Sequence, residues 1–344
     1  MRGSRSFNCA TRSPSPSHRV PRWPPPSPPR GEGKLLAARW HFQILFSGSN
    51  TLSFGPHLLL AILEGTVAAA VLALTALGLS LVFGVMRVVN VAHGEFYMLG
   101  AMLAWWLSRL IPAHPAAGFA LALIGAPIAV GAVAFATERL VLRRLGYEPE
   151  ATIVATIGLL FVIQQLALTV FGADAKPVAA PFNLRIVFPW FGYSGYKLFV
   201  VGASAALLLA AWWILARTRF GLIMRATQYD SETAAAFGIP VDKVYAAVFV
   251  TGAALAALAA VLIVPIQQAH YLMGLDPLLM SFIVVIIGGL GSIRGSVIAA
   301  LVIGMSDGVI SVFFSPTLAS IFGTLLVAMV LVIRPQGLFG VPAR

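Results

Sequence analysis

Polar side chains are scarce in this sequence, so those that interrupt its apolar stretches stand out. One interruption reads Met86-Arg87-Val88-Val89-Asn90-Val91-Ala92-His93-Gly94-Glu95-Phe96-Tyr97. It sets Asn90, His93, Gly94 and Glu95 between two apolar runs. An ionisable group in apolar surroundings is costly to keep, and such groups often serve a function. The functional reading is contact with a solute or gating of its passage. The plainer reading is a turn whose polar groups meet water or backbone.

A second interruption reads Gly288-Gly289-Leu290-Gly291-Ser292-Ile293-Arg294-Gly295. Like the first, it follows one apolar run and leads into another. Interrupted helices at matching places in two halves of a chain point to a solute path. Their freed backbone groups must line a cavity or be packed in protein. The pattern therefore suggests an internal repeat that pairs 86–97 with 288–295 and makes Gly288, Gly289 and Gly291 path residues beside Asn90, His93, Gly94 and Glu95.

The third feature is the polar stretch 217–243. Residues 221–237 read as one helix, with Gly238 as its C-terminal cap and Pro240 as the stop beyond. On one helix Arg225 and Glu232 would share a face, about two turns apart. Asp242 and Lys243 follow. A charged, ordered helix in a loop needs a partner or a membrane surface to rest on.

Other chemistry is excluded or unsupported. Cys9 is the single cysteine, so no internal disulfide forms. The six histidines are scattered, with no pair at metal-ligand spacing. There is no G-x-x-x-x-G-K-[ST] phosphate loop, and no Ser-His-Asp or H-E-x-x-H pattern stands out. The sequence reads as no enzyme, with no cofactor of its own.

The elements that must position these residues follow from composition. Of 344 residues, 59% are hydrophobic and 10% charged. Soluble domains are usually about a quarter charged. A mean hydropathy of +0.90 agrees. Apolar blocks recur at Leu58–Val85, Phe96–Ile111, Ala117–Ala136, Ala151–Phe171, Leu198–Ala216, Val244–Ile266, Leu278–Phe314 and Leu318–Ile333. A bilayer core about 30 Å thick needs roughly 20 apolar residues as a helix. The expected fold is all-α, a polytopic transmembrane bundle of about 8–9 spans with broken helices, the ninth arising if the long seventh block is split. Asp307 lies well inside that block and should face other helices. The run Ala253–Ala260 allows close helix packing. Glu64 belongs near the outer end of the first span.

Sidedness follows from lysine and arginine in short loops. Residues 138–150 carry Arg139, Arg143 and Arg144, and residues 217–243 carry Arg217, Arg219, Arg225 and Lys243. Two spans separate these loops, so both are expected on the cytoplasmic side. The aromatic-rich segment 172–197 suits the outer interface. Residues 1–56 differ in kind, being rich in proline and arginine. They read as a disordered basic tail, or as upstream sequence brought in by a wrong choice of start codon. A basic arm on anionic lipid is the functional alternative. The net charge of +11 is concentrated here, since residues 1–57 hold eight basic residues and one acidic. The remainder carries what loops beside an anionic membrane should, so no nucleic acid partner is expected.

Taken as a set, several segments resemble permeases of branched-chain amino acid ABC importers. These are Gly78-Leu79-Ser80-Leu81-Val82-Phe83-Gly84, Val89-Asn90-Val91-Ala92-His93-Gly94-Glu95-Phe96-Tyr97-Met98-Leu99-Gly100-Ala101, Arg225-Ala226, Phe237-Gly238-Ile239 with Asp242-Lys243-Val244, Gly288 to Ser296, and Arg334-Pro335-Gln336-Gly337-Leu338-Phe339-Gly340. The match spans residues 58–344; the permease domain would be 57–344. In such importers a cytoplasmic Glu-Ala-Ala…Gly loop docks on the ATPase. Glu232 and Gly238 keep that spacing, while Thr233 stands where the first alanine would be. The resemblance implies a multi-pass subunit of the bacterial plasma (inner) membrane with ATP bound by partner subunits. Those partners would be a second related permease, two ATPase subunits and a periplasmic or extracellular solute-binding protein. It raises Asn90, His93 and Glu95 as path-lining residues, and assigns Arg225, Glu232, Gly238 and Asp242 to the ATPase-coupling loop. The other function class is a stand-alone channel or ion-coupled carrier, which would need no docking helix.

Overall fold

The computed structural model describes residues 54–333 and Gly337. The tail expected over 1–56 lies outside the described residues except at 54–56, which already belong to the first helix. Arg334 also lies outside them.

Nine apolar helices form the bundle among the described residues: α1 (Phe54–Met86), α2 (His93–Ser108), α3 (Pro115–Thr137), α4 (Pro149–Phe171), α5 (Gly195–Arg217), α8 (Val241–Gln267), α9 (Leu275–Gly288), α10 (Ile293–Phe313) and α11 (Pro316–Ile333). Two polar helices, α6 (Arg219–Tyr229) and α7 (Ser231–Ala236), occupy the long loop. A small antiparallel hairpin joins β1 (Arg185–Val187) to β2 (Gly192–Ser194), with Arg185 opposite Ser194. Each apolar block became one helix, and the long seventh block became α9 and α10, split at its glycines. Six helices are long and apolar enough to cross a membrane by length and composition: α1, α3 with its following turns, α4, α5, α8 and α10. Shorter apolar helices follow at α9 and α11.

α1 and α8 lie at the centre and are buried along most of their length. Small residues let the backbones meet there. A Cβ at Gly78 would lie 2.5 Å from the Gly252 carbonyl oxygen, and one at Gly100 2.6 Å from the Ala257 Cα. Gly65 faces Met305, and Gly304 faces Ala69. In lipid, apolar burial gives helices little reason to associate, so close packing of this kind carries the association. Ala253, Ala256, Ala257, Ala259 and Ala260 are all enclosed, as the alanine run predicted. The outer helices instead show exposed apolar side chains such as Ile124, Val154, Val170 and Leu209.

Direct contacts show which loops share a face. Arg143 Nη2 lies 2.6 Å from Asp242 Oδ2, and the Tyr147 and Tyr245 rings meet at 4.8 Å. The two basic loops therefore share one face of the bundle, as the charge count required. Gln228 Nε2 donates to the Gly291 carbonyl at 3.3 Å, which adds the α9–α10 turn to that face. Gly337 packs against Gly289 there. At the far end of α1, Lys197 Nζ lies 2.5 Å from Glu64 Oε1, and the Phe54 and Phe313 rings touch. Glu64 lies ten residues inside the start of α1, beside the first turn of α5.

The halves of the bundle match in an inverted sense. Arg87 follows α1 and Gln268 follows α8, both non-glycine residues with positive φ, 55° and 63°. A non-helical stretch follows each, 88–92 and 269–274, then a short helix, α2 or α9. α2 and α3 pack on α8, while α9 and α10 pack on α1. α1 runs toward the basic face and α8 away from it. Inverted repeats of this kind are common in transporters. The partner of 87–92 is therefore 268–274 and not 288–295. The glycine run 288–295 is instead a tight helix-to-helix turn, where the Gly288 and Gly295 backbones touch.

Candidate functional site

The two helix breaks meet in the middle of the bundle. Gly94, in the first turn of α2, lies against the carbonyl of Gly274, which precedes α9. α2 and α9 thus start back to back. Around this point Asn90 is 1% exposed, His93 0% and Glu95 1%. His93 Nε2 lies 3.0 Å from the Thr75 carbonyl of α1. Asn90 Oδ1 accepts from the Ala92 N–H at 3.1 Å, and Thr156 Oγ1 accepts from the Val91 N–H at 3.2 Å. Backbone freed by the break is thus tied down by side chains from the same turn and from α4, which apolar surroundings demand. His93 Nδ1 and Glu95 Oε2 have no hydrogen-bond partner among the described residues. Glu95 does sit in the first turn of α2, where the helix dipole favours a carboxylate.

The open space lies one layer outward. A cavity of about 430 Å³ is bounded by α1, α8, α9, α10 and α11, and by Tyr97, one turn beyond His93. Thr75, whose carbonyl meets His93, also lines it, as do His270, Asp276 and Asp307. In this single chain Asn90, His93, Gly94 and Glu95 stand behind the cavity wall. Gly288, Gly289 and Gly291 do not line the cavity; Gly291 lies against Gly84 of α1 instead. Sequence reasoning missed Thr75, Tyr97, His270 and Asp276. Thr75 sits in a plain apolar run, Tyr97 closes the first interruption as an apolar ring, and the break after Gln268 has no glycine cluster to announce it.

A first expectation follows from this burial. His93→Ala removes a buried hydrogen bond and leaves a void, at a cost of roughly 1–3 kcal/mol. Both folded yield and uptake should fall. Glu95→Gln keeps the shape, so yield should match the parent while uptake falls. Size-exclusion profiles in detergent and solute uptake by the same cells separate the two. Parental uptake by Glu95→Gln would make Glu95 a packing residue only.

A nine-helix bundle with inverted halves, helix breaks meeting at its centre and an outward cavity is the build of a membrane transporter. Comparison with known proteins decides which kind. A family model described as "Branched-chain amino acid transport system / permease component" matches residues 61–333. The chain belongs to this permease family. A high-affinity branched-chain amino acid transport system permease protein of Pseudomonas aeruginosa, BraD, is 28% identical over 305 residues, covering 83% of this chain and 97% of the relative. LivH of Escherichia coli K12, similarly described, is 26% identical, covering 81% and 94%. A probable LivH of Methanocaldococcus jannaschii is 27% identical, covering 81% and 92%. No solved structure matches the chain.

The long polar loop of the permease, 217–243, is not the single helix that residues 221–237 predicted. It breaks at Asp230, whose carboxylate accepts from the Glu232 and Thr233 N–H groups and from the Thr233 hydroxyl. An aspartate that can cap a new helix competes with continuing the old one. The Thr233 hydroxyl, with smaller help from backbone N–H groups and Arg87, holds the Asp230 carboxyl below its usual range, so the cap persists at neutral pH. Arg225 therefore lies on α6 and Glu232 on α7, and they do not share one helix face. Arg225 donates to the Leu215 carbonyl of α5. Glu232 and Gly238 are exposed, and Asp242 is the partner of Arg143. Gly238 has φ 84° and caps α7 as expected. Its N–H donates to Ala235 O at 2.9 Å, and the Ile239 N–H donates to Ala234 O at 3.1 Å. Beside these polar groups, Tyr229 is 89% exposed and Phe237 83%.

Proposed function

We propose that this permease forms the solute path of an ATP-driven importer for branched-chain or related amino acids in the bacterial plasma membrane. It works there with a second related permease, two ATPase subunits that bind the ATP, and a solute-binding protein on the outer side. The observation that carries the reading is the exposed pair Tyr229 and Phe237 on a capped, ordered element of the cytoplasmic face. Exposed aromatic rings on a rigid support are what a protein partner takes up. α6 is tied back to the bundle at Leu215 and Gly291, so a push on it reaches the membrane helices. Family membership and the described relatives supply the amino acid class. The sequence holds no phosphate loop, so the work must come from another chain.

Membrane vesicles holding the permease with its co-expressed partner subunits should accumulate labelled leucine, isoleucine or valine when ATP and binding protein are supplied. Accumulation should persist after ionophores collapse ion gradients. Accumulation that follows the ion gradient and ignores ATP would establish the ion-coupled carrier instead.

A further inference from the structure

We propose that the outward cavity is an amine-recognition site, in which Asp307 accepts the ammonium group of the solute and Tyr97 fixes its position. This rests on the importer reading above and names where that solute would be held.

The polar lining of the cavity is one-sided. Asp276 and Asp307 line it, and neither lysine nor arginine does. The two aspartates differ. Asp276 sits in the first turn of α9, where the helix dipole already favours a carboxylate. Asp307 lies in the body of α10, half-buried, and makes no ion pair or hydrogen bond among the described residues. A carboxylate at that depth is costly unless it gains a cationic partner. Nothing on the neighbouring helices supplies one: His270 from the non-helical stretch is the remaining titratable group of the cavity with a basic side chain, and Tyr97, Thr75, Gln267 and Ser311 are neutral.

A second observation comes from α2. Tyr97 is 1% exposed, lines the same cavity and forms no hydrogen bond among the described residues. Buried tyrosine hydroxyls ordinarily find a partner. One that is left open toward a cavity is poised for a visitor. A primary ammonium carries three donors, which one carboxylate and one phenol oxygen can accept together. The cavity volume of about 430 Å³ fits a small solute. No lysine or arginine lines the cavity to meet a carboxylate, so the amine end is the end this subunit reads.

The assembled transporter is the test object. Asp307→Asn should raise the KM for leucine about tenfold or more, the usual worth of a charge-assisted hydrogen bond, and Asp307→Glu should recover part of it. Isopentylamine, which lacks the carboxylate, should compete with leucine in the parent and lose that ability in Asp307→Asn. An unchanged KM in Asp307→Asn would overturn the proposal while leaving the importer reading intact. A readout free of transport guards against the opposite failure. With Cys9→Ser as background, Ser311→Cys should react with a cationic methanethiosulfonate faster than with an anionic one. The preference should collapse when Asp307→Asn is added. Persistence of the preference without Asp307, or its absence from the start, would overturn the amine site whatever the transporter carries.

Discussion

Gly94→Leu is expected to leave almost no folded permease in the membrane. A Cβ at Gly94 would strike the Gly274 carbonyl oxygen and lie 2.8 Å from the Leu278 Cβ. The obstacle is backbone, which cannot swing aside as a flexible side chain can. Gly274 is its counterpart, since a Cβ there would strike the Gly94 carbonyl. The contact holds together the starts of α2 and α9, and with them His93 against Thr75 and Tyr97 at the cavity. Overpacking a filled site costs typically about 1–3 kcal/mol and more when backbone must part. That is a large share of the roughly 5–15 kcal/mol by which a protein is stable. Gly94→Ala and Gly274→Ala should lower the melting temperature of the detergent-solubilised protein, and Gly94→Leu should abolish its monodisperse peak. Gly158 and Gly202 serve as controls, because a Cβ at either meets nothing within 4 Å. Alanine there should be neutral or slightly stabilising. Parental stability in Gly94→Leu would show that the two short helices can slide apart freely.

Gly238→Pro should insert normally and yet uncouple the transporter. Gly238 needs its left-handed φ of 84° and gives its N–H to Ala235. Proline fixes φ near −65° and has no N–H, so the α7 cap is lost at a local cost of about 3 kcal/mol. The site is exposed and a Cβ there meets nothing, so the membrane helices keep their packing. What changes is the direction in which α7 presents Phe237 and joins α8. The ATPase activity of the assembled complex, stimulated by loaded binding protein, should fall at least tenfold. A Glu232→Cys chain on the Cys9→Ser background should cross-link to an ATPase subunit, and Gly238→Pro should weaken that cross-link. If Gly238→Pro couples at the parental rate and Glu232→Cys never cross-links, the loop is not the docking element, and a stand-alone carrier gains ground.

Much of the architecture could be read from the sequence because its cause is local. A helix that must satisfy its own backbone in lipid needs an unbroken apolar run, so the runs marked the helices and even the split of the long seventh block. Loop charges also predicted that 138–150 and 217–243 share one face, since lysine and arginine are held on one side for reasons that act on each loop separately. The cap at Gly238 was legible for the same reason: a left-handed residue after a helix calls for glycine. The break at Asp230 was not, because aspartate is compatible with both a helix and a cap, and only the competition between them decides.

The site was another matter. Spacing singled out His93 and Glu95 as unusual, and they are the residues at the helix break. Whether an unusual residue faces a cavity or stands behind it depends on what packs against it, and those neighbours come from distant parts of the chain. Thr75, Tyr97, Asp276 and Asp307 sit on four different helices and share no motif; the crossing of α1 with α9 and α10 brings them to one space. The repeat shows the same limit. Glycine-rich letters suggested that 288–295 answers 86–97, yet 268–274 does, because the matching feature is a backbone that leaves a helix at positive φ, at Arg87 and Gln268, with no glycine at either place. Composition and period settle what a segment becomes by itself. Only the assembled bundle, where backbones meet at Gly94 and Gly274, settles which side chains are left facing open space.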